Sequence, residues 1–242
     1  FHRQVAHRLL KSLNMPYALT PNGVNMGYDH PRCDHCGDVG CKAGTPGKFK
    51  YCPTNVSGHG KEEIAKRYSD PVLQKMMTTA AKVEKETLKD VDGVRTPVRP
   101  RISEIMAFAD EMGWKRIGVA FCLAARDEAL RLVKVLEARD FEVCSIICRG
   151  FGMTKGELGI PEEACLKSPN ETVCNPIYQA ELLNEAGTDL NIVVGLCVGH
   201  DMLFNKHSNA YVTTLSVKDR MTANNTIGPL YSNFFNEILK KK

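Results

Sequence analysis

The chain has 242 residues, of which 43% are hydrophobic and 25% charged, and its formal net charge is +4. This composition is typical of a globular protein, and the length suits one α/β domain with a small appendage or two small domains. No apolar run approaches the ~18 residues of a membrane helix, so no membrane span is expected. The mild charge and the single Trp114 offer neither the basic stripe nor the base-stacking surface of a nucleic-acid-binding protein.

Residues 1–30 form a basic N-terminal arm, in which the first 28 residues contain no acidic residue. Its basic composition resembles part of an organellar targeting segment. The alternative is an arm that packs on the domain or binds a protein partner. Apolar residues fall roughly on one helical face of the arm: Val5, Leu9, Leu10 and Leu13.

Residues 31–60 form a loop rich in glycine and proline, without sustained periodicity. Four cysteines lie in it, with the spacing Cys-x2-Cys-x4-Cys-x10-Cys: Cys33, Cys36, Cys41 and Cys52. Four thiolates this close together can wrap one zinc ion or one iron–sulfur cluster, and His35 or His59 could replace one of them. We expect a structural metal site, because a loop with so little apolar content has no other means of holding its shape. A reactive or disulfide-bonded loop is the alternative.

Residues 61–100 form a helical segment and a linker. The spacing of apolar residues from Lys61 to Lys89 predicts helix, and Pro71 is expected to divide it into two. A proline-rich connector from Thr96 to Pro100 follows.

Residues 101–242 predict an α/β domain with a parallel, Rossmann-like sheet flanked by helices. Short apolar runs predict strands at 117–122, 141–148, 190–197 and 210–217. Helices are predicted from Ser103 to Met112, Arg126 to Arg139, Pro176 to Gly187, His200 to His207 and 228–239. A long loop occupies 149–175.

Three of the predicted strands end in a cysteine: Cys122, Cys148 and Cys197. Because the carboxyl ends of parallel strands open onto one edge, where ligands bind, we expect these thiols in a common crevice. Cys174, just before a predicted helix, belongs near the same edge, and a helix N-terminus favours anionic sulfur. The sequence therefore predicts a second thiolate site, for which an iron–sulfur cluster is the candidate cofactor. Three such ligands would leave an open iron for substrate. The alternative is that these cysteines serve as small buried hydrophobic residues, the structural role that we expect for Cys144 and Cys165.

Gly195-Leu196-Cys197-Val198-Gly199 matches the nucleophile-elbow pattern with cysteine in place of serine. A cysteine hydrolase or amidotransferase is therefore an alternative function, with Cys197, His200 and Asp201 as candidate catalytic residues. His207 is the one histidine after His200, and it lies in the helix directly behind the cysteine. That placement is poor for a general base, so a ligand role for Cys197 is favoured.

A charged turn, Lys218-Asp219-Arg220, follows the last predicted strand. On the same edge as the cysteines, these side chains could balance thiolate charge or bind an anionic small-molecule substrate. Arg126 and Asp127 allow the same interpretation, and a solvated turn is the alternative in both places.

Ten cysteines are many for a chain of this size. Disulfide frameworks belong mainly to small secreted domains that lack a core, whereas this chain has apolar strands enough to build one. We therefore expect reduced thiols in a reducing compartment, either the cytoplasm or an organelle matrix such as the mitochondrial one.

Several segments together resemble a family of mainly bacterial and archaeal proteins of unknown function, described as cysteine-rich metal-binding proteins. The matching segments are 33–52, 101–106, 117–122, 174–177, 184–191, 195–203, 217–220 and 230–231. The resemblance covers roughly residues 31–232 and implies metal binding without an established reaction. The chain departs from the family in its arm, 1–30, and at 222–226, where a His-Asn-Pro stretch is expected. The leading interpretation is a protein with two thiolate metal centres and redox or sulfur chemistry on a small substrate. A catalytically inert accessory subunit of a larger, for example mitochondrial, assembly is a further alternative.

Overall fold

The computed structural model describes residues 33–48, 52–56 and 60–241. They belong to two compact units, one ending at Gln74 and the other beginning at Lys75. The predicted arm, 1–30, and His59 lie outside the described residues.

The first unit consists of short helical elements. Single 3-10 turns occupy Cys33–His35 and Gly40–Ala43. They are followed by α1 (Pro53–Val56), α2 (Lys61–Arg67) and the start of α3 (Pro71–Thr87). As predicted, the helical segment is interrupted before Pro71. There the Asp70 carboxylate accepts hydrogen bonds from the backbone N–H groups of Val72 and Leu73 and begins the new helix.

An antiparallel hairpin follows α3 and was not predicted. Its strands are β1 (Leu88–Val91) and β2 (Val94–Pro97). The turn residues Asp92 and Gly93 both have positive φ, 54° and 79°, as a two-residue hairpin turn requires, and Asp-Gly is a strong signal for it. The prediction of helix to Lys89 and a connector from Thr96 was therefore wrong, because helical periodicity was extended past this turn.

The second unit contains a four-stranded parallel sheet, which confirms the predicted α/β class. Its strands are β3 (Arg116–Phe121), β4 (Glu142–Ile147), β5 (Leu190–Leu196) and β6 (Tyr211–Val217). They lie in the order β4-β3-β5-β6. Every residue of β5 is buried, as expected for a central strand covered on both faces.

Helices of this unit follow the predicted pattern with two corrections. They are α4 (Arg101–Met112), α5 (Arg126–Glu137), α6 (Pro176–Glu185), α7 (His200–His207), α8 (Gly228–Tyr231) and α9 (Asn233–Leu239). Helix α4 starts after Pro100 rather than at a Ser103 cap, since proline suits the start of a helix. The helix predicted over 228–239 is two helices, separated at Ser232, where the backbone is extended.

The core lies between the sheet and its helices, with Ile117, Leu136, Ile192 and Phe204 almost fully buried. No helix in the described part of the chain is both long and apolar enough to cross a membrane.

Candidate functional site

The strand order creates a topological switch point between β3 and β5. From β3 the chain first adds β4 on one side, and then returns to add β5 on the other side. Ligands of open α/β sheets bind in the crevice at the carboxyl ends of the strands that flank such a point. Cys122 directly follows β3 and Cys197 directly follows β5, so a cysteine stands on each side of the crevice.

A pocket of about 620 Å³ opens at this edge of the sheet. The four cysteines that sequence reasoning assigned to a cofactor all line it: Cys122, Cys148, Cys174 and Cys197. Cys122 and Cys148 are buried, at 8% and 2% exposure, whereas the other two are half-buried. The structure thus brings together thiols from four separate segments of the chain.

Backbone hydrogen bonds anchor these cysteines to the strand ends. The N–H of Cys122 donates to the carbonyl of Val194 at 3.0 Å, and that of Cys148 donates to Phe121 at 2.8 Å. The N–H of Asn175 donates to the carbonyl of Cys148 at 2.7 Å. This last bond closes the long loop and places Cys174 beside Cys148.

The sulfur atoms of Cys148 and Cys174 are 3.5 Å apart and share a hydrogen bond. The hydrogen bond with Cys148 lowers the pKa of Cys174 from 9.0 to about 7. The same bond, together with burial, raises the pKa of Cys148 above its ordinary value. The backbone N–H of Leu123 also donates to the Cys148 sulfur, at 3.3 Å. Of the two thiols, Cys174 is therefore the one that loses its proton first.

The predicted charged turn lines the same pocket. The guanidinium of Arg220 donates to the Cys197 sulfur at 3.3 Å, and Lys218 is fixed by a backbone bond to Leu196 at 2.9 Å. The carboxylate of Asp219 accepts from the backbone N–H groups of Met221 and Thr222. Hydrogen bonds from Thr222 lower the pKa of Asp219. The Asp219 carboxylate therefore stabilises the turn itself.

Four other candidates are not among the residues that line the pocket. His200 and Asp201 occupy the first turn of α7, where the Asp201 carboxylate accepts from the N–H of Met202. Arg126 and Asp127 begin α5 and are exposed. The Arg126 guanidinium is 4.0 Å from the Asp127 carboxylate.

Sequence reasoning missed several pocket residues, of which Arg149 and Glu128 carry charge. Arg149 directly follows Cys148, and this adjacency was the available signal.

Gln179, a buried residue behind the strand ends, was also missed, because a polar residue in an amphipathic helix gives no sign of its partners. It is fully buried, and its amide donates to the carbonyls of Phe121 and Ile146 at 3.3 and 2.8 Å. Its own carbonyl oxygen has no partner among the described residues.

The elbow-like sequence does not adopt an elbow centred on the cysteine. Positive φ angles occur at Gly195 (66°) and Gly199 (85°), and Cys197 is not among the residues with positive φ. A nucleophile elbow is a sharp, strained strand-to-helix turn, and here helix α7 begins only at His200. The neighbour of the Cys197 sulfur is a guanidinium, which cannot act as a base.

The N-terminal cysteine loop brings two of its four cysteines together. A Cβ placed on Gly47 would stand 3.0 Å from the sulfur of Cys36 and 3.7 Å from that of Cys52, so both sulfurs face this glycine. The N–H of Gly47 lowers the pKa of Cys52. Cys33 and Cys41 are exposed, and the side chain of His35 lies outside the described residues.

Within residues 33–48, 52–56 and 60–241, no three Cys, His, Asp or Glu side chains form a group that could hold a metal ion as they are placed. Cys144 lies within β4 and packs against the core. The thiol of Cys165 donates to the carbonyl of Pro161 at 3.5 Å.

Comparisons with known proteins agree with the resemblance drawn from the sequence. A family model described as "Protein of unknown function (DUF1847)" matches residues 52–215, a range that contains all four pocket cysteines. An uncharacterized protein of the archaeon Methanocaldococcus jannaschii, MJ0455, is 36% identical over 204 residues, which is 84% of this chain and 95% of that protein. No solved structure matches the chain. With a match over most of its length and a relative this similar, the chain belongs to the DUF1847 family.

Proposed function

We propose that the pocket at the carboxyl edge of the sheet binds a metal centre, an iron–sulfur cluster or zinc, through Cys122, Cys148, Cys174 and Cys197. The observation that supports this most is that four thiols from four segments line one pocket at the switch point of the sheet. A set of four thiolates is the donor chemistry that zinc and iron–sulfur clusters select.

Part of the proposed ligand set is held in place by the strand ends. The backbones of Cys122 and Cys148 are fixed by strand-end hydrogen bonds, and the sulfurs of Cys148 and Cys174 are already in contact. Cys197 is half-buried and lines the same pocket as the other three cysteines. The Arg220 guanidinium beside it offsets part of the negative charge that four thiolates bring.

We propose a second, structural metal site in the N-terminal loop, held by Cys33, Cys36, Cys41 and Cys52. The orientation of the Cys36 and Cys52 sulfurs toward Gly47 supports it. A side chain at Gly47 would occupy the space between these sulfurs, so the glycine keeps that space open.

A second candidate function is thiol–disulfide redox chemistry, which the 3.5 Å contact between Cys148 and Cys174 favours. The thiolate of Cys174 would attack a small disulfide and release one small thiolate. Cys148 would then attack the mixed disulfide and release the second thiolate, while its proton passes to solvent or to a released thiolate. The two protein thiols are oxidised to a disulfide and the small disulfide is reduced to two thiols.

Metal analysis and visible spectroscopy of anaerobically purified protein test the proposal. We expect iron with sulfide, or zinc, at the sheet edge. Single replacements Cys122→Ser, Cys148→Ser, Cys174→Ser and Cys197→Ser should each reduce that content, whereas Cys144→Ser and Cys165→Ser should not. Cys33→Ser should remove only the N-terminal metal. If the Cys148→Ser and Cys174→Ser variants both keep the full metal content, a metal centre at the sheet edge is excluded.

A further inference from the structure

We propose that Arg149 and Lys218, together with Arg220, form a binding site for a small organic oxyanion, a carboxylate or a phosphate, held against the thiols of the pocket. This inference rests on the proposed function for the role of the anion, as the substrate or ligand presented to the thiol-bound centre. Anion binding itself can be measured separately from metal binding.

The pocket is larger than a metal ion requires. Its volume is about 620 Å³, whereas a water-sized occupant takes about 30 Å³. Pockets for small molecules span about 300–1,000 Å³. Because thiols and cations line the same pocket, the remaining space suits a small molecule that contacts both.

Among the described residues, the three cations have no carboxylate partner. Within residues 33–48, 52–56 and 60–241, none of Arg149, Lys218 and Arg220 forms an ion pair. Asp219 lies between Lys218 and Arg220 in the sequence, but its carboxylate accepts hydrogen bonds from backbone N–H groups. Glu128 is the other carboxylate of the pocket lining. Three cations therefore face two carboxylates, and one carboxylate is already engaged.

Hydrogen bonds to sulfur do not account for all three cations, although the charge of Arg149 also helps to lower the pKa of Cys174. Arg220 donates to the sulfur of Cys197, but the Arg149 guanidinium donates to the hydroxyl of Thr172 at 3.0 Å. The Lys218 ammonium stands 3.7 Å from the point where a Cβ on Gly195 would lie. Two cations therefore line the pocket without a hydrogen bond to sulfur. Arginine presents a planar fork that matches carboxylate and phosphate oxygens, and lysine adds a point charge.

The turn that carries two of these cations is tightly held. Ala223 and Asn224 follow one another with positive φ angles of 51° and 67°, a conformation that is uncommon for residues other than glycine. The Asn224 side chain accepts from the N–H of Asp219 at 3.0 Å, and both Ala223 and Asn224 line the pocket. The backbone of the turn is thus fixed beside the pocket, and the Arg220 side chain is oriented by its bond to Cys197.

Calorimetric titration of the full chain with oxalate and, separately, with inorganic phosphate tests this site. We expect one saturable site per chain, weaker at higher salt, and the tighter of the two probes identifies the anion class. Lys218→Gln and Arg149→Gln should each weaken binding about tenfold or more, since each removes a charged hydrogen-bond donor. Lys206→Gln, an exposed cation of α7 outside the pocket lining, should leave the affinity unchanged. In protein stripped of metal, saturating anion should also slow alkylation of Cys197 by iodoacetamide.

Metal analysis of the same samples separates the two proposals. Neither Lys218→Gln nor Arg149→Gln changes a proposed ligand, so both variants should keep the metal content and the unfolding temperature of the wild-type protein. Metal-loaded protein that binds neither anion, or binds them equally well in both variants, would overturn the oxyanion site alone. If anaerobically purified protein contains no metal and still binds the anion through Lys218 and Arg149, the oxyanion site is supported and the metal centre is contradicted.

Discussion

The sulfur atoms of Cys148 and Cys174 lie 3.5 Å apart, although 26 residues separate the two cysteines along the chain. One follows strand β4 and the other precedes helix α6. Their hydrogen bond couples the titration of the two thiols, which makes the pair the first place to test the chemistry of the pocket.

Alkylation of Cys174 should depend on pH with a midpoint near 7 in protein stripped of metal, because the thiolate is the reactive form and its pKa is about 7. The rate should rise as pH rises through that value. Cys148→Ala removes the thiol that stabilises the thiolate, so the midpoint should move toward the ordinary value of 9.0. Iodoacetamide labelling followed by peptide mass spectrometry measures both curves. Cys144→Ala should leave the midpoint in place, and an unchanged midpoint in Cys148→Ala would contradict the coupling.

Mild oxidation of metal-stripped protein should join Cys148 to Cys174 before other cysteines of the second unit react. Their sulfurs are in contact, so a mixed disulfide on Cys174 has the Cys148 sulfur beside it to complete the exchange. Peptide mapping after treatment with a small disulfide should show one linked peptide pair. Bound metal should suppress the link, because ligated sulfur is not free to attack. A link that forms first between Cys144 and Cys165 would contradict the assignment.

Replacing Gln179 with leucine should destabilise the strand ends that carry Cys122 and Cys148. The buried amide joins the carbonyls of Phe121 and Ile146, and loss of two such bonds costs about 1–3 kcal/mol. Urea unfolding of metal-stripped protein measures the change. Glu181→Gln, an exposed position on the same helix, should change the free energy of unfolding by less than about 0.5 kcal/mol. Equal effects of the two changes would show that the amide bridge contributes nothing.

Gly118→Ala should be strongly destabilising, because the added Cβ would overlap the side chain of Asn191 and approach that of Leu183. Asn191 is fully buried and cannot move freely, since it bonds the hydroxyls of Thr188 and Ser208, each at 2.8 Å. Overpacking of this kind costs about 1–3 kcal/mol or more. Thermal unfolding monitored by circular dichroism gives the comparison. Gly60→Ala, where no atom would contact the new Cβ, serves as the control and should unfold at the wild-type temperature.

Much of the second unit follows from local pattern. The apolar runs ending at Phe121 and Leu196 are recognisable as strands because burial on both faces selects continuous β-branched and aliphatic residues. The run ending at Ile147 is also a strand, although it is half-buried at the edge of the sheet. Pro176 and Gly187 marked helix α6 through backbone restriction alone. The helix predicted to Lys89 is wrong at the β1–β2 hairpin, where the Asp92-Gly93 turn pairs two strands.

The sequence by itself determined that thiols stand at strand ends, because alternation, burial and turn chemistry act over a few residues. Only the tertiary structure decided which of them meet. The order β4-β3-β5-β6 put Cys122 and Cys197 on either side of the switch point, and the closure of loop 149–175 onto Cys148 brought in Cys174 and Arg149. It also left His200 and Asp201 outside the pocket lining. These outcomes depend on long-range pairing and side-chain direction, which no local pattern encodes.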